Sequence, residues 1–92
     1  MITRFRHKGL QRFFETGRVT GIQPEHATRL RRILALLQTA ITTADMDLPG
    51  LALHELKGTR AGTWAVRVSG NWRITFRIEA QGVTDVNDED YH

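Results

Sequence analysis

The chain has 92 residues, of which 40% are hydrophobic and 25% charged, and its formal net charge at neutral pH is +3. This composition argues against disorder, and the length predicts one domain over residues 1–92 with a modest core. Cysteine is absent, which excludes a disulfide framework and thiolate metal sites. The basic balance favours a polyanionic partner, although charge on a small domain also serves solubility.

The first half of the chain predicts two helices. Residues 1–6 alternate weakly, which is typical of a short strand, and the basic start is followed by no apolar run of signal or membrane-spanning length. Residues 8–16 carry apolar side chains at helical spacing, with Gly17 as a candidate left-handed cap. A longer amphipathic helix is predicted from Pro24 through Ile41. Its polar face is either solvated or able to follow phosphates, and it carries Arg29, Arg31, Arg32 and Gln38.

The second half of the chain predicts a sheet. Residues 51–57 indicate a strand, and residues 83–86 indicate a last strand. Between them, residues 64–79 alternate in polarity around Ser69-Gly70-Asn71, which predicts a β-hairpin. The apolar face of this hairpin comprises Trp64, Val66, Val68, Trp72, Ile74, Phe76 and Ile78. The opposite face, predicted to face solvent, comprises Ala65, Arg67, Ser69, Arg73, Thr75, Arg77 and Glu79.

Three arginines on the polar hairpin face are either solvated or form an anion site. The four histidines are too far apart in sequence for a metal motif, and no glycine-rich loop of the phosphate-binding type is present. Acid–base and cationic chemistry remains, which is what cleavage of RNA by its own 2′-hydroxyl requires. An ordinary structural histidine at position 54 and a frayed C-terminus are the competing interpretations.

Three short motifs occur in order: His-Glu-Leu-Lys-Gly at 54–58, Gly-Asn-Trp-Arg at 70–73 and Asp-Tyr-His at 90–92. With the sequence around them, they resemble the HigB toxins of bacterial type II toxin–antitoxin systems. These proteins belong to the RelE-like superfamily and are also called plasmid maintenance killer proteins. The resemblance implies an α+β fold in which two N-terminal helices pack on a small, mostly antiparallel sheet.

The resemblance also implies a ribosome-dependent endoribonuclease that cuts mRNA in the ribosomal A site, inhibits translation and leaves a 2′,3′-cyclic phosphate without a metal or cofactor. The residues that match the catalytic group are His54, Asp90, Tyr91 and His92. Lys57 and Arg73 match positions that hold the scissile phosphate. Arg60, Arg67 and Arg77 are candidate RNA contacts. Which group is the base and which the acid is left open.

The implied partners are the ribosome, mRNA and a HigA-like antitoxin with a helix-turn-helix motif, through which DNA would be bound indirectly. We expect a protein of the cytoplasm with no membrane association. Two alternatives remain open at this point. One is a binding module that blocks the ribosome or only regulates transcription with its antitoxin, and the other is a ribonuclease that needs no ribosome.

Overall fold

Two helices pack on one face of an antiparallel sheet in the computed structural model, which describes residues 1–91. The helices are α1 (Lys8–Thr16) and α2 (Ala27–Thr39). Four strands occur in the described chain, in the spatial order β1 (His54–Glu55), β2 (Trp64–Ser69), β3 (Trp72–Glu79) and β4 (Gly82–Asp90). The predicted α+β fold, with its helices before its sheet, is confirmed.

The bounds of α1 are those predicted, because both ends are capped locally. At the start, Nδ1 of His7 accepts a hydrogen bond from the Leu10 backbone N–H at 2.9 Å. At the end, Gly17 takes a left-handed conformation with φ of 80° and its N–H donates to the Phe13 carbonyl oxygen at 2.8 Å. The helix buries Leu10 and Phe13 in the core.

The second helix ends before the predicted Ile41. Pro24–His26 form a 3₁₀ turn, α2 then runs to Thr39, and Ile41 is 80% exposed instead of lying on the buried face. The reason is local: the Asp45 carboxylate accepts hydrogen bonds from the Ile41 and Thr42 N–H groups at 2.8 and 3.0 Å. These bonds start a new 3₁₀ turn at Thr43–Met46 and hold the pKa of Asp45 below its usual value.

The predicted hairpin is present, and its apolar face lies against the helices. Val66, Val68, Ile74 and Phe76 are buried in one cluster with Leu30, Ile33, Leu34 and Leu37 of α2. The opposite face is less open than predicted, since Ala65 and Thr75 are each only 1% exposed. An ion pair between Arg60 and Glu89 crosses this part of the sheet, and Thr75 donates a hydrogen bond to Glu89.

Three strand predictions need correction. The N-terminal residues form isolated parallel bridges to β4, Ile2 with Val83 and Phe5 with Val86, and not a regular strand. The strand predicted at residues 51–57 is confined to β1. The last strand extends beyond Val86 to Asp90, so part of the acidic tail is paired in the sheet.

A bulge in β4 determines which of its side chains reach which face. Asp85 has φ of 55°, and the pairing register with β3 shifts between Thr75 and Arg77. Val83 and Val86 therefore both enter the core although they are three residues apart. Beyond the bulge, Asp88 lies on the helix side and Glu89 on the other side.

Within the described residues, no helix is both long and apolar enough to cross a membrane.

Candidate functional site

The sheet face that points away from the helices, here called the open face, carries several of the predicted site residues. Residues directly opposite each other in antiparallel strands share a face. The pairing therefore places the following residues together on the open face: His54, Ala65, Arg67, Arg73, Thr75, Asn87 and Glu89. Two strand spacings and two residues separate His54 from Arg73, which corresponds to about 12 Å between their Cα atoms.

Three consecutive carbonyl groups before β1 hold the chain that leads to His54. The Gly50 oxygen accepts a hydrogen bond from Nη2 of Arg29 at 2.5 Å, and the Leu51 oxygen accepts one from the Arg67 N–H at 2.7 Å. The Ala52 oxygen lies 3.1 Å from Nδ1 of His54. Ala52 itself has φ of 50°, an uncommon conformation for a residue with a Cβ. These bonds stabilise a strained segment next to the candidate histidine.

The contact with Ala52 selects which nitrogen of His54 can exchange a proton with a ligand. A carbonyl oxygen can only accept, so Nδ1 carries the hydrogen in this contact. Nε2 is then an acceptor when the ring is neutral and a donor when it is protonated. The His54 side chain is exposed, so Nε2 is accessible from solvent. This arrangement suits either a general base or a general acid.

Arg67 and Arg73 lie directly opposite each other on the open face. Like charges in such a cross-strand pair destabilise a sheet unless an anion or a carboxylate compensates them. Nη1 of Arg73 donates to the carbonyl oxygens of Gly70 and Trp72 at 2.7 and 3.0 Å, which orients the guanidinium. Neither arginine forms an ion pair with any of residues 1–91. The pair is therefore a candidate phosphate site.

The carboxylate opposite Arg73 is already engaged. Glu89 accepts two hydrogen bonds from the Arg60 guanidinium, at 2.9 and 2.6 Å, and one from Thr75 Oγ1 at 2.5 Å. The Arg60 contact lowers the pKa of Glu89, and Glu89 in turn raises the pKa of Arg60. Tyr91 also raises the pKa of Arg60 to a smaller extent. Arg60 thus ties the 3₁₀ turn Gly58–Arg60 to β4.

Replacing Glu89 with glutamine is expected to destabilise the fold near neutral pH by about 1 kcal/mol, after allowance for partial exposure of the pair. The pKa of Glu89 is lowered in the folded state, so its stabilising contribution is present above the unfolded-state pKa and is lost as pH falls through the folded-state value. Urea unfolding of both proteins over a pH series measures this. Equal stabilities at neutral pH would contradict the expectation.

Asp88 precedes Glu89 in β4, and its pKa is raised and not lowered. Asp88 is 7% exposed on the helix side, and its Oδ1 has no hydrogen-bond partner in residues 1–91. Nδ1 of His26, which is 8% exposed and packs edge-on against Trp72 at 5.7 Å, is also unpartnered there. Burial raises the pKa of Asp88, while His7 and His26 act in the other direction. No pattern in the sequence indicated this buried group, because the bulge at Asp85 reverses the faces.

Replacing Asp88 with asparagine is expected to stabilise the fold near neutral pH by about 1 kcal/mol, since it removes a buried charge that lacks a hydrogen bond. The pKa of Asp88 is raised on folding, so the cost of its charge is present in full above the folded-state pKa and disappears as pH falls from there to the unfolded-state pKa. D88N and E89Q change the net charge identically. A matched unfolding experiment should therefore give shifts of opposite sign, and shifts of the same sign would refute this assignment.

The structure brings some predicted site residues together and separates others. His54, Arg67 and Arg73 share the open face, and the exposed Lys57 starts the 3₁₀ turn beside it. Asp90 pairs with Trp72, which places it on the helix side of the sheet at its exposed end. His92 lies outside the described residues.

Three of the remaining arginines have structural contacts. Arg77 donates to Glu79 at 3.2 Å and to Ala61 and Thr63 at 3.4 Å, so it braces the loop before β2. On α2, Arg29 links the helix to residues 50 and 67, and the Arg31 guanidinium lies 5.6 Å from the centre of the Phe13 ring. Arg32 is exposed and stays available to a partner. No group of three candidate metal ligands occurs in residues 1–91.

Comparison with known proteins gives two matches. A family model described as "RelE-like toxin of type II toxin-antitoxin system HigB" matches residues 3–92. A curated protein of Proteus vulgaris, Endoribonuclease HigB, is 38% identical over 92 residues, which cover 100% of both chains. The family match includes all three motifs that carry the resemblance.

Proposed function

Because the chain belongs to the HigB-like family of RelE-like toxins from type II toxin–antitoxin systems, we propose that it is an endoribonuclease that cleaves mRNA in the ribosomal A site and so inhibits translation. The observation that carries this proposal is the Arg67 and Arg73 pair beside His54 on the open face. Two opposed cations favour a bound phosphate, and the accessible histidine supplies proton transfer next to it.

The proposed reaction is attack of a ribose 2′-oxygen on the adjacent phosphorus. A base removes the 2′-hydroxyl proton, the bond from phosphorus to the 5′-oxygen breaks, and an acid gives that oxygen a proton. The products are a 2′,3′-cyclic phosphate and a 5′-hydroxyl, so atoms and charge balance with protein groups alone. Nε2 of His54 can fill either proton-transfer role.

Charge that develops on the phosphate oxygens is stabilised by Arg73, Arg67 and Lys57 in this proposal. Arg73 is the best oriented of the three, because its contacts with the Gly70 and Trp72 carbonyls restrain the guanidinium before any ligand arrives. A donor held in place in advance stabilises a transition state without the cost of reorganisation. Lys57 is exposed just before the 3₁₀ turn that follows β1, and in this proposal it reaches the same phosphate as a mobile cation.

The C-terminal residues complete the proposed group. Tyr91 is 42% exposed, and its N–H donates to the Asn71 carbonyl oxygen at 2.8 Å. It is therefore in position to stack on or orient a base at the edge of the open face. Asp90 and His92 are proposed to share proton transfer with His54. The side of the sheet occupied by Asp90 favours a role at the hairpin end and not at the centre of the face.

The open face has few of the features that hold a free RNA strand, which supports dependence on the ribosome. Proteins that hold single-stranded RNA alone combine a basic groove with several stacking aromatics. Among the large exposed apolar side chains of residues 1–91, Tyr91 is the aromatic one beside this face, and Phe14 lies on α1. One stacking side chain holds a strand weakly. Presentation of the mRNA by the ribosome would supply the missing positioning.

A toxin of this family implies an antitoxin partner, and we propose that it is a HigA-like protein with a helix-turn-helix motif. Operator DNA would then be bound through the antitoxin.

The end chemistry of the products tests the proposed reaction. A 5′-hydroxyl on the downstream fragment is labelled by polynucleotide kinase without prior phosphatase treatment, whereas a 5′-phosphate is not. We expect direct labelling of fragments from ribosome-bound mRNA treated with the toxin. Labelling that requires phosphatase would overturn the proposed mechanism, because a 5′-phosphate means that the bond from phosphorus to the 3′-oxygen broke, and attack by the adjacent 2′-oxygen breaks the bond to the 5′-oxygen instead.

A further inference from the structure

A second basic surface lies on α1, away from the open face. It is a groove with a volume of about 730 Å³ lined by Lys8, Gln11, Arg12, Glu15, Thr16 and Arg18. Leu10 and Phe13 of the same helix point into the core on the helix side of the sheet. The sheet and the core therefore separate this groove from His54 and Arg73. The α1 groove is not part of the proposed active site.

The shape of the α1 groove is built by specific contacts. After Gly17 the chain turns back along α1, and Gly21 meets Gly9 so closely that a Cβ on Gly9 would lie 2.3 Å from the Gly21 oxygen. The Thr16 hydroxyl donates to the Arg12 carbonyl oxygen at 2.7 Å and accepts from the Arg18 N–H at 3.2 Å. These contacts hold the backbone of Arg18 beside the helix.

The charges of the α1 groove are unbalanced. Lys8, Arg12 and Arg18 form no ion pair within the part of the chain that the structure describes. The one carboxylate of the groove, Glu15, accepts a hydrogen bond from Gln11 at 3.2 Å and not from a cation. Lys8 and Arg12 are four residues apart, which places their Cα atoms about 6 Å apart along the helix.

The chemistry of the lining distinguishes between two anionic partners. Protein interfaces have a core of aromatic and other apolar side chains, and their strongest contacts fill pockets there. All six residues that line the α1 groove are polar or charged. Arginine, lysine, glutamine and threonine are the side chains that contact phosphate oxygens in nucleic acids. The lining therefore fits a phosphate backbone better than an acidic protein segment.

We propose that the α1 groove binds backbone phosphates of structured RNA, which holds the toxin from the side opposite its active site. This inference rests on the proposed function, in which the enzyme works inside a particle rich in RNA. The groove then contributes to affinity for the ribosome, and the open face carries out the chemistry.

The test is binding of the intact protein to 70S ribosomes, measured by co-sedimentation over a range of potassium chloride concentrations. The test variant is Arg12→Gln with Arg18→Gln. The matched control is Arg31→Gln with Arg32→Gln, which changes the net charge equally on the other helix. A third variant, Glu15→Lys, adds a cation to the groove and tests for a gain that misfolding cannot produce.

We expect R12Q/R18Q to weaken binding about tenfold near physiological salt and to make the salt dependence shallower by about 1.5 in log–log slope, because two phosphate contacts are lost. E15K should bind several-fold more tightly, and R31Q/R32Q should change little. At saturating toxin, R12Q/R18Q should cut mRNA at the wild-type rate. Binding of a plain RNA duplex should follow the same order, which distinguishes RNA from ribosomal protein.

Three results would overturn the inference. Equal losses in both double variants would mean that only net charge matters. Unchanged binding by E15K and R12Q/R18Q would remove the groove from the interface. Loss of antitoxin binding with normal ribosome binding would assign the groove to the antitoxin. Binding is measured apart from cleavage, so a wild-type protein that binds as expected but cuts nothing would refute the proposed enzyme and leave the groove in place.

Discussion

Replacing His54 with alanine is expected to lower the single-turnover rate of mRNA cleavage on ribosomes about 10²- to 10⁴-fold, the usual contribution of a general acid or base. The side chain is exposed, and its one described hydrogen bond is to the Ala52 oxygen. Its loss should therefore change the free energy of unfolding by less than about 1 kcal/mol. Ribosome binding should also be kept, since proton transfer and not affinity is removed.

Thr59→Ala provides the control for this experiment. Thr59 is exposed in the neighbouring 3₁₀ turn and its side chain makes no hydrogen bond with residues 1–91, so its replacement should leave cleavage unchanged. If the cleavage rate of H54A is within about threefold of the rate of T59A at equal stability, His54 is not a proton-transfer residue. The mechanism would then depend on the C-terminal residues alone.

Replacing Arg73 with glutamine is expected to lower the same rate about 10²- to 10³-fold, because a pre-oriented donor to the phosphate is lost. Arg73→Lys should recover only part of the rate, since an ammonium keeps the charge but cannot bond the two carbonyls and a phosphate in the same planar geometry. A graded series, wild type above R73K above R73Q, is the expected result of single-turnover assays.

Arg77→Gln is the matched control on the same strand. Arg77 contacts Glu79, Ala61 and Thr63, so its replacement should act through the loop and cost less than about tenfold in rate. Equal losses for R73Q and R77Q would show that the sheet face acts only through its total charge. A loss confined to R73Q supports a defined phosphate position.

Features set by neighbouring residues could be predicted from the sequence. The bounds of α1 were predicted from its apolar spacing and from Gly17, although the cap formed by His7 was not predicted. The two faces of the hairpin follow from its alternation, and the core contains the predicted apolar side chains of β2 and β3. The end of α2 was predicted too late because the apolar Ile41 continued the helical spacing. The signal that stops the helix is the capping box between Thr42 and Asp45.

Features set by distant contacts could not be predicted. Arg60 and Glu89 are 29 residues apart, and no periodicity connects them. The same holds for Arg29, which contacts backbone atoms 21 and 38 residues away. The bulge at Asp85 is a backbone event with no glycine to indicate it, yet it determines that Asp88 lies on the helix side and Glu89 on the open face. The burial of Asp88 therefore becomes apparent only in the fold.

The candidate site also combines features that could be predicted from the sequence with features that could not. The motifs at 54–58, 70–73 and 90–92 identified the family, and the family match spans residues 3–92. The antiparallel register adds what the motifs do not contain: Arg67 opposes Arg73, Glu89 is neutralised by Arg60, and Asp90 pairs beside Trp72 on the helix side. The roles of individual residues stay predictions until the substitutions are made.

Ribosome-dependent cleavage of mRNA is tested most directly by primer extension on a defined mRNA. The mRNA is incubated with the purified protein, with and without ribosomes whose P site is filled. We expect cuts within the A-site codon in the sample with ribosomes and an intact mRNA in the sample without them. Equal cutting of naked mRNA would contradict the dependence on the ribosome. An intact mRNA in both samples, from a protein that still arrests growth, would contradict the enzyme itself and make the open face a binding surface.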